Sequence, residues 1–241
     1  MIWLVGLLAC SPSTTETDDG IEMPEGGVIT VLTEDDVSIT ADYYPASMTG
    51  RPAVVLLHMI PPNFDRSSWP ADFITELHDN DWNVLVPDRR GAGDSEGTAV
   101  DAYEGDGGRM DVAALVSQLE EDGAGDLMLI GASNGTTSVL DYTVWAAQND
   151  VRTPVAAGFM SGGPYTENQS SFADMPLIPA FFSYEDSDRE RDWATTQQDR
   201  GVGAWEFWYL DDPGAHGTNA FDSDPATVGR IDQFLEGAVA P

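Results

Sequence analysis

The sequence has no lysine and a single cysteine, Cys10, among its 241 residues. One cysteine excludes an internal disulfide framework, so the folded part must be held by its core alone. Without lysine, ten arginines stand against 42 acidic residues, and the formal net charge is −32. Such a surface repels nucleic acid and anionic lipid headgroups. It reads as solubility or adaptation to a salty medium, where self-repulsion is screened; recruitment of cationic substrates is the sharper alternative. No apolar run is long enough to span a bilayer as a helix. Metal-ligand spacing, a phosphate-cradling glycine loop and a dinucleotide fingerprint are all missing, so no cofactor is implied.

What is present begins with MIWLVGLLAC, nine apolar or small residues ending at Cys10. This segment, residues 1–10, resembles the end of a bacterial lipoprotein signal in which Cys10 becomes the lipidated first residue. An exported protein tethered to the cell envelope, on the periplasmic or outer-membrane side, is the corresponding expectation. Residues 11–26 are rich in Ser, Thr, Asp, Glu and Gly with little to bury, which predicts a disordered tether. Residues 27–241 are long enough for one sizeable core and too short for two comfortable ones.

Within that domain, β-rich apolar runs alternate with helix-period stretches, the pattern of a mostly parallel sheet with helices on both faces. Strands are predicted at 27–33 and 36–44, too close for a crossover and therefore an antiparallel hairpin. Further strands are expected at 53–59, 82–88, 126–132, 153–161, 175–184 and 204–210, giving an eight-stranded α/β sheet. Helices are expected near 67–79, 109–122, 135–148, 188–199 and 225–237. Only about fifteen residues separate the sixth strand from the seventh, which leaves little or no room for a lid.

The strongest local signal is Gly131-Ala132-Ser133-Asn134-Gly135, a G-x-S-x-G between a buried strand and a helix. Its mechanics require that placement. The serine must sit on a sharp turn, and the glycines let neighbouring backbone approach without a Cβ clash. The helix that follows directs its amino-terminal partial positive charge at the site.

With LLHMIPPN at 56–63, VPDRRGAGDSEG at 86–97 and GAHGT at 214–218, this elbow makes the chain resemble the α/β-hydrolase fold family. The likeness is specifically to its compact dienelactone-hydrolase-like and serine-esterase-like members, and it covers nearly everything from residue 27 onward. The resemblance implies Ser133 as nucleophile and His216, in a Gly-flanked loop after the last strand, as general base. It implies an acid after the seventh strand, where FFSYEDSD packs several carboxylates. Counting three residues from the small Ser183 gives Asp186, with Asp188 and Glu185 as alternatives. The oxyanion donors would be the backbone N–H groups of Asn134 and Ile60, with Met59 as second choice; Met59 stands where the family has glycine. His58 is expected to organise its loop and His78 to be solvated or capping. Asp88, Arg89, Gly91, Gly93, Asp94 and Ser95 are expected to brace the site through hydrogen bonds. Trp205, Phe207, Trp208 and Tyr209 read as a core strand, whereas Trp69 and Tyr165 on loops could line a substrate pocket.

The implied function is a serine hydrolase that cleaves a small-molecule ester or other acyl bond through an acyl-enzyme. Dienelactone or peptide cleavage on the same triad, and a non-catalytic surface-binding protein that retains the fold, are the alternatives. Nothing in the sequence fixes the oligomeric state.

Overall fold

The alternation of apolar residues along each strand decides which side chain meets which helix layer. A computed structural model describes residues 23–172 and 174–239. The segment 1–10 with Cys10, and residues 11–22 of the tether, lie outside the described residues. Strands β1 (Gly27–Leu32) and β2 (Ser38–Tyr44) form the expected antiparallel hairpin, with Thr30 opposite Thr40. Then follow β3 (Ala53–Leu57), α1 (Ala71–Asp79), β4 (Asn83–Pro87), α2 (Gly107–Glu121), β5 (Leu127–Ala132) and α3 (Gly135–Asn149). The chain continues through β6 (Ala156–Met160), α4 (Glu167–Ser171), β7 (Ala180–Tyr184), α5 (Asp188–Gln198), β8 (Trp205–Tyr209), α6 (Ala220–Ser223) and α7 (Ala226–Ala238). The sheet order is β1-β2-β4-β3-β5-β6-β7-β8. Strand β2 is antiparallel to both its neighbours, and every other pair, from β4·β3 to β7·β8, is parallel.

Period-two alternation sorts the central strands between two cores. Val55, Leu57, Leu129, Phe159 and Phe182 face one layer, packed with Val112, Leu115, Val116 and Leu119 of α2 and Val139 and Leu140 of α3. Their chain neighbours Val54, Leu56, Met128, Met160 and Phe181 face the other, against Phe73 and Leu77 of α1 and Ile231 and Leu235 of α7. Both faces of the sheet are thus dry, and the carboxyl edge is left for the loops.

Two departures from the sequence reading have local causes. Strand β7 begins at Ala180 rather than near 175, because Pro176 and Pro179 have no N–H for a ladder. The short helix α4 was not expected. Thr166 caps it by accepting a hydrogen bond from the Gln169 N–H at 3.2 Å, and the T-x-x-Q spacing is a capping signature that was there to be read. The aromatic run on β8 is indeed a packed strand: Phe207 stacks on Phe182 at 4.8 Å between centroids and Trp208 on Phe181 at 4.4 Å. Trp69 does not line a pocket, since it is buried against Phe73 and Phe221.

Candidate active site

At the end of β5 the backbone turns sharply, and Ser133 takes a left-handed φ of 48° that L-residues avoid unless the surroundings enforce it. The Ser133 N–H donates to the Met160 carbonyl at 2.7 Å, which ties the turn to β6. Both elbow glycines are required by proximity. A Cβ on Gly131 would meet the Gly135 carbonyl at 2.6 Å, and one on Gly135 would collide with the carbonyl oxygens of Leu57 and His58. The elbow is therefore clamped between β3 and the start of α3.

Two loops on the carboxyl edge reach Ser133. His216, in the loop after β8, places Nε2 2.6 Å from Ser133 Oγ and Nδ1 2.6 Å from Glu185 Oε1. Glu185 is only 2% exposed, and its other oxygen accepts from Ser161 Oγ at 2.7 Å. Ser161 Oγ in turn accepts the Gly217 N–H at 2.9 Å, which locks the histidine loop to the end of β6. Burial alone would raise the Glu185 carboxyl, but the hydrogen bonds from His216 and Ser161 outweigh it and hold the group below the usual carboxylate range. Burial likewise works against charging His216, yet the bond to Glu185 and the negative charges of Glu185 and Glu190 lift the imidazole above its ordinary value.

The Asn134 and Ile60 N–H groups, the expected oxyanion donors, donate to no acceptor among the described residues. The peptide that carries the Ile60 N–H is oriented from behind. Its carbonyl, on Met59, accepts from His58 Nδ1 at 2.8 Å, and a planar trans peptide then directs the Ile60 N–H the other way. His58 Nε2 accepts the Arg89 N–H at 2.8 Å, so this ring is a neutral Nδ1–H tautomer. Burial and the nearby Arg89 charge depress its pKa to about 3. His58 thus organises its loop, whereas His78 is a half-buried helix residue 3.2 Å from the Pro45 carbonyl.

The arrangement is a hydroxyl, an imidazole and a carboxylate in series, a layout able to deprotonate a serine. Residues 51–183, more than half the chain, match the model of the hydrolase family described as serine aminopeptidase, S33. The chain belongs to this family of α/β hydrolases. No curated protein matches the sequence. Among solved structures, the hydrolase is similar to an esterase of Pyrococcus furiosus at 18% identity and a TM-score of 0.68, over 90% of this chain and 94% of that one. It is also similar to an esterase from Rhodococcus sp. (16%, TM-score 0.64, 88% and 99% covered) and to an α/β hydrolase from Novosphingobium aromaticivorans (17%, 0.64, 89% and 99%).

In this α/β hydrolase, Asp186 does not take the position that the strand count assigned to it. The count began at Ser183, but β7 continues through Tyr184. Ser183 and Glu185 are both buried while Tyr184 between them is only partly so, which brings Glu185, the alternative, to the imidazole. Asp186 is turned outward and pairs with Arg191 at 2.5 Å. The side chain of Asp188 lies outside the described residues. Ser161 and Glu190 were not singled out from sequence. Glu190 is 7% exposed and its Oε1 lies 3.0 Å from the Tyr165 hydroxyl, itself 2.8 Å from the Ser161 carbonyl. The Ser187-x-x-Glu190 capping spacing at the start of α5 was the available signal for it.

The loop after β4 braces the site as expected. Asp88 accepts the N–H groups of Arg66 and Asp94 and pairs with the Arg66 guanidinium, and Ser95 Oγ donates to the Asp88 carbonyl at 2.7 Å. Arg90, the buried neighbour of Arg89, pairs with Asp111 at 2.8 Å and with Asp35.

Proposed function

We propose that the protein is a serine esterase that works through an acyl-enzyme. Ser133 Oγ attacks the carbonyl carbon of a small or extended ester while its proton passes to His216 Nε2, and Glu185 holds the tautomer and stabilises the imidazolium. The carbonyl oxygen becomes an oxyanion held by the Asn134 and Ile60 N–H groups. Collapse expels the alcohol, which takes the proton from His216. Water then repeats the sequence on the acyl group, giving its proton to His216 and releasing the acid and the free serine. The observation that carries the reading is the unbroken series of two 2.6 Å hydrogen bonds from Ser133 through His216 to Glu185.

The short segment between β6 and β7 is fastened down by Gln169, which bonds Thr136 at 2.5 Å, and by Trp193, which donates to the Gln169 carbonyl at 2.9 Å. Peptide cleavage, the activity in the family's description, is the second reading. Turnover of short-chain p-nitrophenyl esters should fall by roughly four to six orders of magnitude in Ser133→Ala. Equal rates in the two proteins would refute the esterase; Ser133 labelling by a fluorophosphonate without ester turnover would favour the peptidase. The export reading extends this proposal on sequence grounds alone: palmitate label on Cys10, abolished by Cys10→Ala, is the result expected of an envelope lipoprotein.

A further inference from the structure

Arg89 is the largest fully buried side chain among the described residues, 1% exposed, and it has no carboxylate partner there. Its guanidinium is held by neutral groups only. Nη1 donates to Asn134 Oδ1 at 2.9 Å and, at a longer 3.4 Å, to the carbonyls of His58 and Met59. Nη2 donates to the Ala102 carbonyl at 2.6 Å and to Ser138 Oγ at 3.1 Å, while Nε has no partner. Arg90 beside it and Arg66 nearby are each paired directly with carboxylates, whereas Arg89 feels Asp111 and Asp141 only at a distance. A buried cation without an anion is costly and persists only where the surroundings or the function compensate it.

Two of the partners of Arg89, Asn134 and Met59, carry the backbone that frames the proposed oxyanion site. On one side it holds Asn134, directly after the nucleophile. On the other it contacts the Met59 carbonyl, whose peptide ends in the Ile60 N–H. Its own backbone N–H sets the His58 tautomer that donates to that same carbonyl. Donation to a carbonyl polarises the whole peptide and strengthens the N–H at its other end. Burial lowers Arg89 to about 10, which leaves it charged at neutral pH.

We infer that Arg89 is the positioning residue of the oxyanion hole. It fixes both N–H donors from behind and presents a positive charge that no carboxylate bonds directly among the described residues. This rests on the serine-esterase reading above. Asp111 and Asp141 attract that charge without bonding to it, and the part of its field that answers the oxyanion belongs to the transition state and not to substrate binding.

The test compares wild type with Arg89→Met, Arg89→Lys and Asn134→Ala, the last of which removes the Oδ1 tether while keeping the backbone donor. Kinetics on p-nitrophenyl acetate are normalised to the Ser133 sites titrated by a fluorophosphonate. Affinity is measured for a trifluoromethyl ketone that adds to Ser133 as a tetrahedral oxyanion. Arg89→Met should lower kcat/KM by roughly 10²-fold with KM within about threefold, and weaken the ketone by the same factor. Arg89→Lys should recover part of both losses and Asn134→Ala should lose about tenfold in both. Unchanged kcat/KM, or a fall in kcat/KM with undiminished ketone affinity, would overturn the role of Arg89 and leave the esterase standing. If Arg89→Met does not fold, Arg89→Lys and Asn134→Ala decide by the same criterion. A wild-type protein that neither turns over the ester nor binds the ketone would instead end the esterase reading and this inference with it.

Discussion

The two walls that meet at Ser133 carry buried charge of opposite sign. On the β4 side stand Arg89 and Arg90, both at most 2% exposed; on the β6–β7 side stand Glu185 and Glu190, at 2% and 7%. The walls also differ in how the charges are answered. Arg90 is closed off by Asp111 and Asp35, a scaffold pair that fastens the loop to α2 and to the β1–β2 turn. Arg89 meets neutral dipoles, and Glu185 meets an imidazole that becomes cationic only when it accepts a proton. The comparison teaches that charges neutralised in the resting fold build the wall, whereas charges left to face dipoles look toward the reaction. In a chain with 10 basic residues against 42 acidic ones, burying two adjacent arginines behind one loop concentrates positive charge where the composition makes it scarcest.

The contrast can be broken most severely on the acidic wall. Glu185→Gln should lower kcat by roughly 10²- to 10⁴-fold on p-nitrophenyl esters, because the histidine loses the group that orients and stabilises its charged form. A loss of less than tenfold would move the acid elsewhere. Cutting the scaffold pair should act on stability instead. Asp111→Ala removes the buried partner of Arg90 Nε and of the Arg90 N–H while Asp35 keeps the guanidinium paired, and urea denaturation should register a loss of about 1–3 kcal/mol.

A smaller effect sharpens the comparison through pH. In the proposed mechanism turnover requires neutral His216, whose pKa is raised by Glu185, so the acid limb of kcat/KM should have its midpoint above the ordinary histidine value of about 6.5. Glu185→Gln should move that midpoint down. The same shift favours the protonated fold, so the stability His216 contributes is fully present below the unfolded pKa and is lost as pH rises through the folded one. The smallest effect is expected at Asp186→Asn. Its exposed pair with Arg191 is of the kind worth about 0–1 kcal/mol, and kcat should stay within about twofold of wild type.

The fold was almost fully legible because each central strand is an unbroken apolar run bounded by Gly, Pro or Asp, as in VPD at 86–88 and LIGAS at 129–133. The elbow serine and the final histidine were legible for a related reason: each is flanked by glycines whose spacing the turn demands. The acid was not, because three carboxyl-bearing residues crowd into four positions and only the end of β7 decides which one points inward. Ser161 was hidden because its role depends on β6, β7 and the histidine loop converging, and the capping spacing at Glu190 marks a helix start without showing that its carboxylate meets Tyr165. The identity of Arg89 was plain, but the lack of a directly bonded carboxylate on it among the described residues is a property of packing that no local pattern carries.

The tautomer lock on His58 has a practical consequence. With its Nε2 lone pair occupied by a backbone N–H and its Nδ1 proton given to a carbonyl, that ring stays uncharged across the whole range in which assays are run. Of the three imidazoles in the chain, one is silent and one lies out on a helix. Ring-proton NMR of this enzyme should therefore contain a single catalytic titration curve, readable without isotope editing and assignable by its loss in His216→Ala.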